Sequence, residues 1–129
     1  MPSFSRKSLD NLKGVDHRLQ DLAFKVVQTY DCSVLSGLRT EAEQQKLVAD
    51  GDSWTMNSRH LEGYAIDLAP YPIDWKDKVR FYHFAGYVMA TAQSMGIPIR
   101  WGGDWNRNLN LHDQKKFDLV HFEIPRGDE

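Results

Sequence analysis

The chain has 129 residues, with 16 Lys and Arg against 18 Asp and Glu, a net charge of −2 with histidine neutral. Hydrophobic residues at 41% and charged residues at 26% exclude disorder, collagen and coiled coil, and point to one globular domain spanning 1–129. The absence of a basic excess argues against nucleic acid as a partner, and the absence of any run of about 18 apolar residues argues against a membrane span.

The N-terminal stretch Met1 to Asp10 is polar and lacks the apolar core of a signal peptide, so synthesis as a cytosolic, soluble protein is expected. From Asp16 to Tyr30, Leu19, Leu22, Val26 and Tyr30 recur at spacings of three and four and predict an amphipathic helix. Cys32, Val34, Leu35 and Leu38 follow in a short apolar run that reads as a strand. Cys32 is the only cysteine, which excludes an internal disulfide and a Cys-x-x-Cys zinc site, and its apolar setting makes it an inert core residue. Thr40 and Glu43 form a capping box for a helix from Glu41 to Asp50, stopped by Gly51.

Residues 51–63 carry no period and read as a loop long enough to be functional. Tyr64 to Ala69 alternates, with Ala65, Asp67 and Ala69 on one face, and Pro70 and Pro72 close this strand. Asp74 is placed to cap a long helix from Trp75 to Met95, along which Phe81, Ala85, Val88, Ala92 and Met95 recur, with Gly96 as its end. Ile97 to Trp101 is expected as a strand, 102–117 as a polar loop and Leu119 to Ile124 as the last strand. This order predicts an α+β domain with helices packed on a small, largely antiparallel sheet.

Possible metal ligands gather in three places: His60 and Asp67 around the start of the alternating strand, Asp118 with His121, and Glu123. A single histidine proves nothing, and His17 and His83 fall on helices and receive no role. His60 and Asp67 say more, because a loop histidine precedes a strand whose carboxylate lies between two alanines, which leave room for a site. His121 stands in an apolar strand, where each ring nitrogen needs a partner or costs about 1–3 kcal/mol in desolvation. Two imidazoles and one carboxylate suit Zn²⁺ and leave its fourth position open, the catalytic pattern of coordination. Water acidified there toward a pKa of about 7 needs a carboxylate to take its proton, and Asp118 and Glu123 are both placed for that.

The stretch Ser58-x-His60-x-x-Gly63-x-Ala65-x-Asp67, together with Asp118-x-x-His121, resembles the signature of the LAS zinc peptidases, a group that includes D-alanyl-D-alanine carboxypeptidases. The segments Ser36-Gly37-Leu38-Arg39-Thr40 and Gly102-Gly103-Asp104-Trp105 are similar to those of its single-domain phage endolysins, the L-alanyl-D-glutamate peptidases, and the resemblance spans about Val34 to Ile124. It implies the hedgehog/D,D-peptidase-like fold, with His60, Asp67 and His121 as zinc ligands and Asp118 as general base. It also implies that Arg39 faces the scissile carbonyl, where a guanidinium stabilises the developing oxyanion, and that Ser58 hydrogen-bonds near the site. Strict alternation from Leu119 to Glu123 puts His121 and Glu123 on one face and Asp118 on the other, so either the chain bends at 118–119 or Glu123 is the base.

Trp101 and Trp105 border the polar loop and either stack on a substrate or pack, and His112 in that loop either lines the substrate cleft or is solvated. The resemblance implies hydrolysis of the L-Ala–D-Glu bond of peptidoglycan stem peptides, by a monomer held in the host cytoplasm until the membrane is permeabilised and then acting on the wall. Its alternatives are a D,D-carboxypeptidase or dipeptidase at D-Ala-D-Ala termini, and a non-catalytic zinc module that binds the wall. The charge of −2 fits an acidic wall poorly and demands a local basic patch. Asp50, Asp52, Asp104 and Asp113 lie in or beside loops but spell no EF-hand.

Overall fold

Four strands, β1 (Cys32–Ser36), β2 (Ala65–Pro70), β3 (Arg100–Gly102) and β4 (Asp118–Glu123), form one sheet in a computed structural model that describes residues 2–129. Its order is β1-β2-β4-β3 and every pairing is antiparallel, so the α+β arrangement expected from the order of elements is the one adopted. Four helices accompany it: α1 (Arg6–Asn11), α2 (His17–Val27), α3 (Glu41–Ala49) and α4 (Lys78–Ser94).

Helix α2 turns Leu19, Leu22, Ala23, Val26 and Val27 inward, the stripe its spacing predicts. Helix α4 contributes Phe81, Phe84, Ala85, Val88 and Ala92. Against them β2 and β4 place Ile66, Leu68 and Phe122, all fully buried. Each such side chain contributes about 1.5–3 kcal/mol relative to exposure, so this shared core is what fixes β2 beside β4.

The starts of α4 and β3 differ from the sequence expectation. Helix α4 begins at Lys78 with Asp77 as its cap, because Asp74 accepts from the Lys76 amide within a preceding turn and Arg80 ties the carbonyls of Tyr71 and Pro72. Trp75, expected in the helix, instead stacks on Phe81 with centroids 5.4 Å apart. Strand β3 is shorter than expected and starts at Arg100 rather than Ile97.

Helix α1 is an addition to the predicted elements, and it carries no apolar stripe of its own. It runs beside edge strand β1, where the Ser8 hydroxyl accepts from the Val34 amide at 3.0 Å and the Asn11 side chain donates to the Val34 carbonyl at 2.8 Å. Its polar groups thus satisfy an edge that would otherwise be open. Cys32 is buried, and burial pushes its thiol up to about 12, in keeping with an inert core residue. Trp101 also belongs to the core, its indole donating to the Leu119 carbonyl at 2.9 Å.

Candidate metal centre and active site

Register places the first two groups. In the β2–β4 ladder Asp67 lies directly opposite His121 and Ala65 opposite Glu123, so the carboxylate and the imidazole meet as cross-strand neighbours. His60 arrives from a 3₁₀ turn, Arg59–Glu62, whose start is capped by the Ser58 hydroxyl accepting from the His60 amide and whose end is Gly63 in the left-handed region at φ 78°. That is the physical content of the Ser-x-His-x-x-Gly spacing: a cap, an imidazole and a residue able to reverse the chain.

His60, Asp67 and His121 converge within 4.8 Å of one another and are all buried. The His60 Nδ1–H donates to the Gly37 carbonyl at 2.8 Å, which leaves its Nε2 lone pair facing Asp67 Oδ1 at 3.1 Å. His121 presents Nε2 to Glu123 Oε1 at 2.7 Å and Nδ1 to Asp67 Oδ1 at 3.5 Å. Basic nitrogens therefore converge on one carboxylate oxygen, an arrangement that demands either extra protons or a cation. The two imidazoles hold the Asp67 carboxyl well below the usual range against the opposing effect of burial. His121 is raised to about 9: burial opposes its charge, but the hydrogen bonds to Asp67 and Glu123 outweigh it. The donor set and its orientation fit a divalent ion, with the Gly37 carbonyl and Glu123 fixing the two rings from behind.

Asp118 stands apart from this set. Burial and the neighbouring Asp67 charge raise its pKa above the ordinary aspartate value. The conflict between its position and strict alternation is resolved by an irregular pairing, in which Trp101 opposes Phe122 but Gly102 already opposes Asp118. Residues 119–121 thus bulge out of the β3–β4 ladder, and Asp118 comes to line the same cleft as His121. Gly102 makes this possible, since a Cβ there would lie 2.1 Å from the Asp118 carbonyl oxygen. Glu123, weighed above as a base, is 2% exposed and spends both oxygens, one on His121 and the other on Arg100 at 2.8 Å.

Arg39 meets Asp67 Oδ2 at 3.0 Å and also donates to the Ser36 hydroxyl and to Gln44 Oε1. Its guanidinium braces the carboxylate oxygen that faces away from the histidines. These groups floor an open cleft of about 510 Å³ whose walls carry Ser58, Trp54, Trp105, Arg100 and Arg126. Trp105 packs on the His121 ring with centroids 5.3 Å apart and meets Trp54 edge-on at 6.1 Å. The loop holding it is organised by Asp104, which accepts from the amides of Asn108 and Leu109. His112 is not brought to this cleft; it is exposed and borders a separate depression with Tyr82, Leu111 and Phe117. The cleft does not supply the expected basic patch: Arg39, Arg59, Arg100 and Arg126 are matched on its lining by Asp52, Asp67, Asp118 and Glu123, and Arg100 and Arg126 pair with Glu123 and Glu62.

Sequence reasoning missed the carbonyl of Gly37, Trp54, Arg100 and the supporting role of Glu123. The signal for the last was present, because two residues apart on a strand is the spacing that lets Glu123 reach the His121 ring.

A buried His-Asp-His set that could hold a metal ion, with a further acid at the floor of an open cleft, is an arrangement a metal-dependent hydrolase can use. The model of the family described as phage L-alanyl-D-glutamate peptidase matches residues 2–124, and the chain belongs to that family. It is 33% identical to the L-alanyl-D-glutamate peptidase of Escherichia phage T5, over 94% of this chain and 96% of the relative. It is 31% identical to the L-alanyl-D-glutamate peptidase of Listeria phage A118 over 78% of this chain, but spans only 34% of that longer protein. The crystal structure of the Serratia marcescens L-Ala D-Glu endopeptidase ChiX superposes with a TM-score of 0.79 and 29% identity, covering 98% of this chain and 93% of that one.

Proposed function

We propose that the chain, acting as one peptidase domain and as a monomer, is a zinc metallopeptidase that cleaves the L-Ala–D-Glu bond of peptidoglycan stem peptides in phage-driven host lysis. The observation that carries this reading is the convergence of His60 Nε2 and His121 Nδ1 on Asp67, each ring fixed from behind, with the cleft open above them. A structural zinc site would be closed and would need no further acid.

His60, Asp67 and His121 would hold the zinc ion, which when bound would supply Lewis-acid chemistry for the carbonyl and an acidified water. Asp118 then has a base's task. Lining the same cleft as His121, it takes a proton from the water and returns it to the amine leaving from D-Glu. Arg39 holds Asp67 in place, and since three of its five N–H groups are committed, two remain to face the developing oxyanion. Ser58 acts indirectly by capping the turn that presents His60. Trp105 offers an apolar wall to the stem peptide.

Among the described residues no helix is long and apolar enough to cross a membrane. A phage enzyme made inside its host meets the wall only when the membrane is breached, so storage in the cytoplasm followed by release belongs to this proposal.

Mass spectrometry of digested muropeptides tests it. Release of the stem after L-Ala, abolished together with zinc content in His60→Ala and His121→Ala, is the expected result. Loss of a terminal D-Ala alone, or full activity without metal, overturns it.

A further inference from the structure

A peptide that continues beyond D-Glu uses one of that residue's two carboxyls for the chain, and the other stays free beside the scissile bond. The substrate proposed above therefore brings an anion into the cleft at a fixed distance from the reacting carbonyl. The four arginines lining the cleft are not equally able to receive it. Arg59 has a side chain only 3% exposed and is spent on the Ile124 carbonyl and on Glu129. Arg126 turns to Glu62 and Asn57, and Arg39 is tied to Asp67, Ser36 and Gln44, with its two open N–H groups already assigned to the oxyanion.

Arg100 differs. Its guanidinium lies over the Trp105 ring at 5.4 Å and makes one hydrogen bond, from Nη2 to Glu123 at 2.8 Å. Among the described residues Nη1 has no partner in the chain, and Nε is buried with none. Nε is closed off from the cleft, but the side chain as a whole is one third exposed, at 33%, so an acceptor arriving from the cleft meets the unpartnered Nη1. Only Glu123 on one side and Trp105 on the other separate Arg100 from the ligand His121.

We infer that Arg100 is the residue that reads the free carboxylate of the D-Glu in the substrate, through the donors Glu123 leaves open. The inference rests on the proposed cleavage of L-Ala–D-Glu. A guanidinium fork suits a carboxylate better than a neutral amide, which offers one acceptor and no charge. Glu123 does double duty in this arrangement: it orients the His121 ring and holds the carboxylate-reading head of Arg100 beside it.

The test compares two stem peptides, one with the free D-Glu carboxylate and one with that group converted to its primary amide, on the zinc-loaded enzyme and on Arg100→Gln and Arg100→Lys. Metal content and circular dichroism establish that each variant is folded and loaded. The wild-type enzyme should favour the carboxylate on the order of 10- to 100-fold in kcat/KM, mainly through KM. Arg100→Gln should cleave both peptides at nearly the same kcat/KM, and Arg100→Lys should keep part of the preference. Equal cleavage by the wild type, or an unchanged preference in Arg100→Gln, overturns the assignment. A fall in kcat of equal size on both peptides also overturns it, because that is what mere support of Glu123 and His121 produces. If the wild type cleaves neither peptide, the proposed function fails, and this reading with it.

Discussion

Replacing Glu123 by Gln separates the two roles this residue can hold. The residue is 2% exposed, and its oxygens meet His121 Nε2 at 2.7 Å and Arg100 Nη2 at 2.8 Å. A glutamine has one acceptor oxygen for these two donors, so its amide nitrogen must face either the imidazole or the guanidinium. Losing one charge-assisted hydrogen bond and leaving a donor opposed costs about 2–3 kcal/mol where water is excluded. Arg100 can turn part of its head to solvent, so the lower figure applies, equivalent to a fall in melting temperature of about 8 °C. For the metal, a supporting carboxylate behind a ligand histidine is worth about 10- to 100-fold in affinity. Zinc competition against a chromogenic chelator should show that loss, and saturating zinc should recover most of kcat. If Glu123→Gln instead keeps its zinc while kcat falls by about 10²- to 10⁴-fold, Glu123 is the base and the role given to Asp118 is wrong.

The complementary variant Asp118→Asn should hold zinc normally and lose about 10²- to 10⁴-fold in kcat, measured on muropeptides with metal content checked in the same sample. In the metal-free protein burial and the Asp67 charge raise the Asp118 pKa, and in the loaded enzyme kcat/KM should rise with pH as Asp118 loses its proton, read as the acid limb of the profile. In the metal-free protein His121 is raised to about 9, so its stabilising contribution is complete below the unfolded value of about 6.5 and is lost as pH climbs through 9. Chemical denaturation of the apoprotein across that window should record falling stability. Zinc uptake near pH 7 should release a proton, seen as a buffer-dependent heat in calorimetry. Gly102→Ala places a Cβ 2.1 Å from the Asp118 carbonyl oxygen. It should cost about 1–3 kcal/mol of stability in denaturant titration and lower kcat by displacing Asp118.

Periodicity was enough for the α2 stripe, which follows from one face being buried; β2 is buried on both faces, and its alternation sets Ala65, Asp67 and Ala69 apart from Ile66 and Leu68 rather than exposed from buried. The α3 capping box was equally legible, being a local reciprocal hydrogen bond. Helix α1 was not legible, since its fit depends on hydroxyl and amide groups answering the open edge of a strand more than 20 residues away. The cap of α4 was misplaced by one turn because Asp74 and Asp77 are equally good caps, and only the hold of Arg80 on Tyr71 and Pro72 decides between them. His60, Asp67 and His121 are now found as one buried cluster. What periodicity could not give is how Asp118 joins them, because alternation assumes a regular strand and the β3–β4 pairing is irregular. His112 lay beyond sequence reasoning for a related reason: the path of the 104–114 loop is set by the hydrogen bonds of Asp104, which have no period.

The strand order β1-β2-β4-β3 has a consequence in time. The last strand to be synthesised is inserted between two made earlier, and it brings Asp118 and His121 with it. A nascent chain growing at about 5–20 residues per second can assemble α2, β1 and β2 while still attached to the ribosome. Until β4 emerges, however, Asp67 has no imidazole opposite it, and β3 has no neighbour to pair with. A chain stalled before residue 118 therefore carries two of the three groups of the His60, Asp67 and His121 cluster and lacks Asp118.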